Sequence, residues 1–137
     1  MSLFHLLNLQ ECLELYPKVE LYLPDAMRNP TLWASSINAF KIENGSVWLS
    51  DIRVGFRANI HVVTWGPHSS IKPERVVEYL MSLYNLQRLE ALIPSDNYKA
   101  CRLAEEMGFT YEGLLRKADK YEGKLVGLHV YSKIKEE

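Results

Sequence analysis

His61 and His129 fall in stretches that read as strands, and an imidazole changes charge near neutral pH without help, so either can take a proton from a reacting group. The competing role for each is that of a packed or surface strand histidine. Glu112 offers a carboxylate for the same work, or is a solvent-facing strand residue paired with Arg116. Asn97 precedes an apolar stripe at helical spacing, so its side chain suits a helix cap. Between Pro67 and Pro73 lie His68, Ser69, Ser70 and Lys72, a run of polar donors in which either serine can cap the following helix. Trp33, Trp48 and Trp65 suit core or rim packing. Cys12 and Cys101 are far apart and lack the paired spacing of a zinc site, so they read as reduced thiols, with no disulfide and no metal expected.

These side chains must be positioned by a single domain covering 1–137, since 137 residues suffice for one core. The 16 basic and 17 acidic residues give a formal charge of -1, which carries no footprint of nucleic acid or an anionic membrane surface. The N-terminus lacks a basic, apolar leader pattern and no apolar run reaches membrane-spanning length, so a cytoplasmic protein is expected.

The elements follow from period and punctuation. Leu6, Leu7, Leu9, Leu13 and Tyr16 predict a first helix that Pro17 stops, and Val19 to Leu23 alternates like a short strand. Asn29 and Pro30 open a second helix running to about Ile37. Asn44-Gly45 predicts a two-residue hairpin turn between strands at Ala39 to Glu43 and Ser46 to Ile52, with a third strand from Phe56 to Trp65 completing an antiparallel meander. Beyond Pro73, the residues Val76, Val77, Leu80, Met81 and Tyr84 share a helical face, and Arg88 to Ile93 alternates as a strand. A strand, helix, strand order favours a right-handed crossover with parallel pairing. A helix capped by Asp96 or Asn97 ends at Gly108, and strands at Tyr111 to Ala118 and Leu125 to Ile134 flank a polar turn at Asp119 to Lys124.

Residues 86 to 132 resemble the C-terminal half of the GNAT acetyltransferase superfamily, above all the branch that acetylates protein N-termini, including ribosomal proteins. The resemblance is carried by Arg88-Leu89-Glu90-Ala91, Asn97, Gly108-Phe109, Glu112-Gly113-Leu114-Leu115-Arg116, Gly123 and Tyr131-Ser132, in that order and spacing. It implies an α/β (α+β) fold with a mixed, mostly antiparallel central sheet and helices on both faces. It also implies that two central parallel strands splay, so that the strand ending in Val63, Thr64 and Trp65 pairs with the pantetheine of acetyl-CoA while the pyrophosphate meets the next helix N-terminus near His68, Ser69, Ser70 and Lys72. Asn97 would lie beside the pantetheine arm. The amine acceptor, a small molecule or a protein N-terminus, would attack the thioester directly, with Glu112, His61 or His129 as base and a strand N–H at the oxyanion. A homodimer is compatible with this fold.

Three departures qualify that expectation. The glycine-rich phosphate loop of the family is replaced by Pro67-His68-Ser69-Ser70-Ile71-Lys72-Pro73, which has no glycine and is short by about 4 to 7 residues, or one to two helical turns. Ala104 stands where many members carry a tyrosine acid, and Ala100 where the N-terminal branch often has serine. A chain pruned in this way also suits a non-catalytic descendant kept as a binding or structural component, for instance of a phage particle.

Overall fold

The computed structural model describes residues 5–65 and 73–136. The strands are β1 (His5–Leu6), β2 (Ile37–Ile42), β3 (Gly45–Arg53), β4 (Arg57–Thr64), β5 (Arg88–Pro94), β6 (Thr110–Tyr121) and β7 (Lys124–Ile134). They form a sheet in the order β1-β2-β3-β4-β5-β7-β6. Every neighbouring pair is antiparallel except β4 and β5, as the crossover through α3 (Pro73–Leu83) requires. The expected mixed, mostly antiparallel sheet is thus present. No helix among the described residues is long and apolar enough to cross a membrane.

Strand alternation sends side chains to two separate cores. Phe40, Leu49, Ile60, Leu89 and Ile93 point to one face and pack under α3 and α4 (Tyr98–Glu106), where Val77, Leu80 and Ala104 are buried. Ala39, Trp48 and Val63 point the other way and pack under α1 (Leu9–Val19) and α2 (Pro30–Ser35) with Tyr16, Val19 and Trp33. Each fully buried Leu or Val in these layers contributes on the order of 2 kcal/mol.

Local chemistry sets the element ends, and corrects four expectations. Asn8 and Glu11 form a reciprocal capping box, so α1 starts at Leu9, and His5–Leu6 instead adds a strand to β2. Pro17 does not stop α1. It sits inside the last turn, where its missing N–H removes one bond while Glu20 N–H still donates to Tyr16 O. Val19 to Leu23 is therefore not a strand; the helix continues into a 3-10 turn at Glu20–Tyr22, and the buried pair Val19 and Leu23 is four apart, a helical spacing. The hairpin turn lies one residue earlier than expected. Ile42 pairs with Gly45, so Glu43 and Asn44 make the turn and Asn44 itself takes φ +55°. Gly45 serves another purpose, because a Cβ there would stand 2.6 Å from the Val63 carbonyl oxygen.

Asn97 rather than Asp96 caps α4, accepting the Ala100 N–H at 3.1 Å. The other end closes with Gly108 at φ +85°, Gly108 N–H on Glu105 O and Phe109 N–H on Ala104 O, both 3.0 Å, which folds Phe109 onto the core. Gly108→Ala should cost about 1 to 2 kcal/mol, since an L side chain there is forced into the left-handed region. The expected readout is a lower urea midpoint at unchanged slope; an unchanged midpoint would contradict the strain.

Candidate active site

The parallel pair is short. β4 and β5 match only at Arg57 with Arg88, Ala58 with Leu89, and Asn59 with Glu90, and then part. β4 stays zipped to β3 as far as Thr64, and β5 to β7 as far as Pro94, so each strand keeps one paired edge and opens the other. Trp65 N–H donates to Asn44 O at 2.8 Å on the β3 side, so alternation turns the backbone groups of Val62 and Thr64 toward β5. On β5, Ser95 N–H donates to Gly127 O at 2.9 Å beside β7, which leaves Leu92 facing the gap. Below the fork, Arg57 and Arg88 both pair with Glu90, and Arg88 grips Glu112 with two bonds of 2.9 and 3.1 Å. A bulge in β3, with Asp51 at φ +49°, bends the strand that backs β4.

The gap is a cleft through the sheet, open to solvent, with a cavity volume of about 100 Å³. On the α4 side its wall is apolar: Ile60, Ile93, Ala100, Leu103, Ala104 and Met107. Asn97 stands on this side too, its Oδ1 engaged by the helix cap and its amide NH₂ left to donate. On the α1 side the wall is Tyr22, Trp48, His61, Val63 and Tyr121.

His61 is the one histidine among the described residues that line the cleft. Its ring stacks on Trp48 at 5.3 Å and 10°, as their pairing across β3 and β4 dictates, and its Nε2 hydrogen-bonds Ser50 Oγ at 3.1 Å. Burial lowers its pKa to about 4, with Asp51 opposing, so the imidazole is neutral at physiological pH. Burial, aided by Asp119, pushes Tyr121 up to about 12 and keeps it protonated.

The other sequence candidates lie elsewhere. Glu112 is not a cleft-lining residue, and its partner is not Arg116. It occupies a bulge in β6, where Arg88 and the Ser132 hydroxyl hold its carboxyl below the usual range, because the bulge turns it back across the sheet to β5 and β7. His129 bonds Tyr111 Oη through Nδ1 at 3.0 Å and is also outside the lining. Trp65 packs under the Lys18 ammonium, 4.7 Å from its ring centre, in a separate groove on the α1 side. Thr64 contributes backbone at the open edge rather than a lining side chain. His68, Ser69, Ser70 and Lys72 lie outside the described residues.

Sequence reasoning missed Tyr22, Tyr121 and what joins them. Asp25, at the start of a 3-10 turn (Asp25–Met27), accepts the Glu122 and Gly123 N–H groups at 2.7 and 2.9 Å. This clasps the tip of the β6–β7 hairpin to the segment carrying Tyr22. The Glu122-Gly123 turn is legible in sequence, but nothing marks a carboxylate 97 positions away as its partner. Asp25→Ala should raise amide exchange at Glu122 and Gly123 by about tenfold with little change in the melting temperature. Unchanged exchange would mean that the hairpin holds its own tip.

A fork of this kind, between helices on both faces of a mixed sheet, has close structural counterparts. The chain superimposes with a TM-score of 0.72 on ribosomal-protein-S5-alanine acetyltransferase from Vibrio fischeri, at 15% identity over 98% of this chain and 94% of that one. It has the fold of the GNAT acetyltransferases. Spermidine N-acetyltransferase SpeG from Vibrio cholerae, as an F149A mutant, gives 0.74 at 16% identity over 98% and 95% of the two chains. The microcin C7 self-immunity acetyltransferase MccE, solved with acetyl-CoA and AMP, gives 0.72 at 20% identity over 98% and 94%. Among curated sequences, an uncharacterized N-acetyltransferase, p20 of Bacillus licheniformis, is 31% identical over 74 residues, which is 53% of this chain and 42% of that protein. No protein-family model matches the chain. Within the GNAT fold, β4 and β5 are the two splayed strands, and the match in fold extends through the N-terminal half, where sequence motifs were silent.

Proposed function

We propose that the protein transfers the acetyl group of acetyl-CoA to a primary amine. The observation that carries this is the fork itself: two parallel strands part and leave the backbone of Val62 and Thr64 open beside an apolar wall. A pantetheine arm has amides that pair with such an edge as an added strand would, and methylene groups that suit Leu103, Ala104 and Met107. The Asn97 amide supplies a further donor. The pyrophosphate falls to His68, Ser69, Ser70 and Lys72, whose hydroxyls, N–H groups and single ammonium replace a glycine-rich cradle.

On the α1 side, the neutral acceptor nitrogen approaches the thioester carbonyl beside His61. Neutral imidazole takes the proton as nitrogen attacks, held in orientation by Ser50 and the Trp48 ring. A strand N–H at the open edge meets the oxyanion, with Leu92 the candidate on β5. Expulsion of the thiolate needs no acid. A thiol of pKa about 8.5 leaves readily near neutral pH, which accommodates Ala104 in place of a tyrosine. Tyr121, at about 12, is too weak an acid to protonate that sulfur and serves as wall.

Acetyl-CoA at about 100 times its Kd should stabilise the folded chain by roughly 2.7 kcal/mol and raise its melting temperature, and thiol should be released when an amine is added. No shift at millimolar acetyl-CoA and no thiol release would overturn the assignment.

A further inference from the structure

Five non-glycine residues among those described take positive φ. Asn44, Asn85 and Glu122 turn the chain between elements, whereas Asp51 (φ +49°) and Lys117 (φ +47°) lie inside β3 and β6, and Asp51 directly follows Ser50, the partner of His61. An L side chain is disfavoured in this backbone region and glycine is not, so an aspartate there points to a use for its carboxylate. The bulge decides where that carboxylate goes. Ser50 pairs with Asn59 and Arg53 with Arg57, so Asp51 and Ile52 together oppose Ala58. In an unbroken strand residue 51 would point away from the face of Ser50. Here Ile52 packs against the α3–α4 core, and Asp51 shares the face of Ser50, where the Asn59 amide donates to its Oδ2 at 3.3 Å. Asn59 and His61 stand two apart on β4 and project to that same face, a step of about 6.6 Å. The other charged and ionisable groups near the imidazole face elsewhere: Glu90 of β5 is closed by Arg57 and Arg88, Lys18 of α1 lies over Trp65, Tyr22 lines the far wall, and Asp119 acts on Tyr121. Asp51 is the charge that acts on His61, against the desolvation of its ring.

Resting on the acetyltransferase reading, we propose that Asp51 is a positioning residue of the reaction, placed by the β3 bulge to stabilise the positive charge that His61 acquires when it takes the acceptor's proton. Ser50 Oγ accepts the Nε2 hydrogen and leaves Nδ1 as the basic nitrogen. As the amine lone pair forms the N–C bond, the C–S bond breaks with its electron pair on sulfur, the amine proton passes to Nδ1, and the imidazolium then yields it to solvent or to the thiolate. That imidazolium appears where burial opposes charge, and a carboxylate on the same face offsets part of the cost. Asn59 keeps the carboxylate in place from β4, so the strained residue and its anchor lie on the two strands that carry Ser50 and His61.

The test compares the full native chain with Asp51→Asn and Asp51→Gly. Asparagine tolerates the left-handed backbone and can still reach Asn59, so it removes the charge and little else. The His61 imidazole resonance, followed by NMR from pH 7 to pH 3.5, should titrate near 4 in the native chain and lower by about half a pH unit or more in both variants. Thiol release from acetyl-CoA, measured with whichever of phenylalanine amide, phenethylamine and spermidine turns over best, should lose about 3- to 10-fold in kcat at an unchanged KM for acetyl-CoA. Salt at about 0.5 M should narrow the gap between the native chain and Asp51→Asn, since an exposed carboxylate is screened. Asp51→Gly should lose the same activity while its urea midpoint at pH 7 is no lower than the native one, because glycine relieves the backbone. A merely structural aspartate would lower that midpoint and leave the titration in place. An unchanged His61 titration or an unchanged kcat in Asp51→Asn would overturn the inference and leave the acetyltransferase reading intact. No thiol release and no acetyl-CoA thermal shift in the native chain would overturn that reading and this role together.

Discussion

His61→Gln should lower the acetyl-transfer rate by about two to four orders of magnitude, the usual worth of a positioned general base, while the acetyl-CoA thermal shift stays. The amide can keep the bond to Ser50 Oγ and lie against Trp48, so the replacement removes a proton acceptor and little else. The same variant should change acid stability with a definite sign. The folded imidazole titrates near 4 and an unfolded one near 6.5, so between those values the unfolded chain binds the extra proton. The native chain is therefore fully stable in this respect above pH 6.5 and loses up to about 3 kcal/mol as pH falls to 4. Denaturation midpoints of the glutamine variant should lack that slope. A rate within about threefold of the native value would move the base elsewhere, and an unchanged acid slope would mean that the imidazole is not desolvated.

How much of this was legible in the sequence depends on how far apart the cooperating residues lie. The 86–132 stretch announced itself because each signal there is local: Asn97 caps its own helix, Gly108 closes it, and Gly123 turns the hairpin. The fold class and the parallel β4–β5 crossover followed from strand, helix, strand order. Misplaced elements came from reading a single residue without its tertiary neighbours. Pro17 is tolerated because it falls in a final turn, and Val19 and Leu23 look like strand alternation until one helical face buries both. Gly45 was read as a turn residue because Asn-Gly is a turn signal; its requirement is the Val63 carbonyl on the next strand. Site residues divided in the same way. His61 reaches the cleft because strand register puts it beside Trp48, whereas Glu112 is withdrawn by a bulge that no sequence pattern reveals. Tyr22 and Tyr121 both line the cleft, where Asp25 and Arg28 tie the hairpin tip to the segment carrying Tyr22, contacts between distant segments.

Trp33→Ala should cost about 3 to 5 kcal/mol, a large share of the 5 to 15 kcal/mol that holds a domain of this size together. Trp33 is 1% exposed and sits edge-on to Tyr16 at 5.9 Å and to Trp48 at 5.4 Å, so truncation opens a cavity between α1, α2 and the sheet. The loss reaches the site, because Trp48 is the surface on which His61 stacks. Trp33→Phe separates packing from polarity. Its ring refills much of the space and removes an indole N–H that has no hydrogen-bond partner among the described residues, an orphan that itself costs on the order of 1 to 3 kcal/mol. The phenylalanine variant should therefore lie within about 1 kcal/mol of the native chain in urea denaturation, far above the alanine variant. Equal losses in the two would place the worth of Trp33 in the full indole shape, which a phenylalanine ring does not refill. With packing as the source, the alanine variant should also lose acetyl transfer beyond its unfolded fraction when assayed well below its melting temperature. In that case the N-terminal core sets the pose of the base as well as the stability of the sheet.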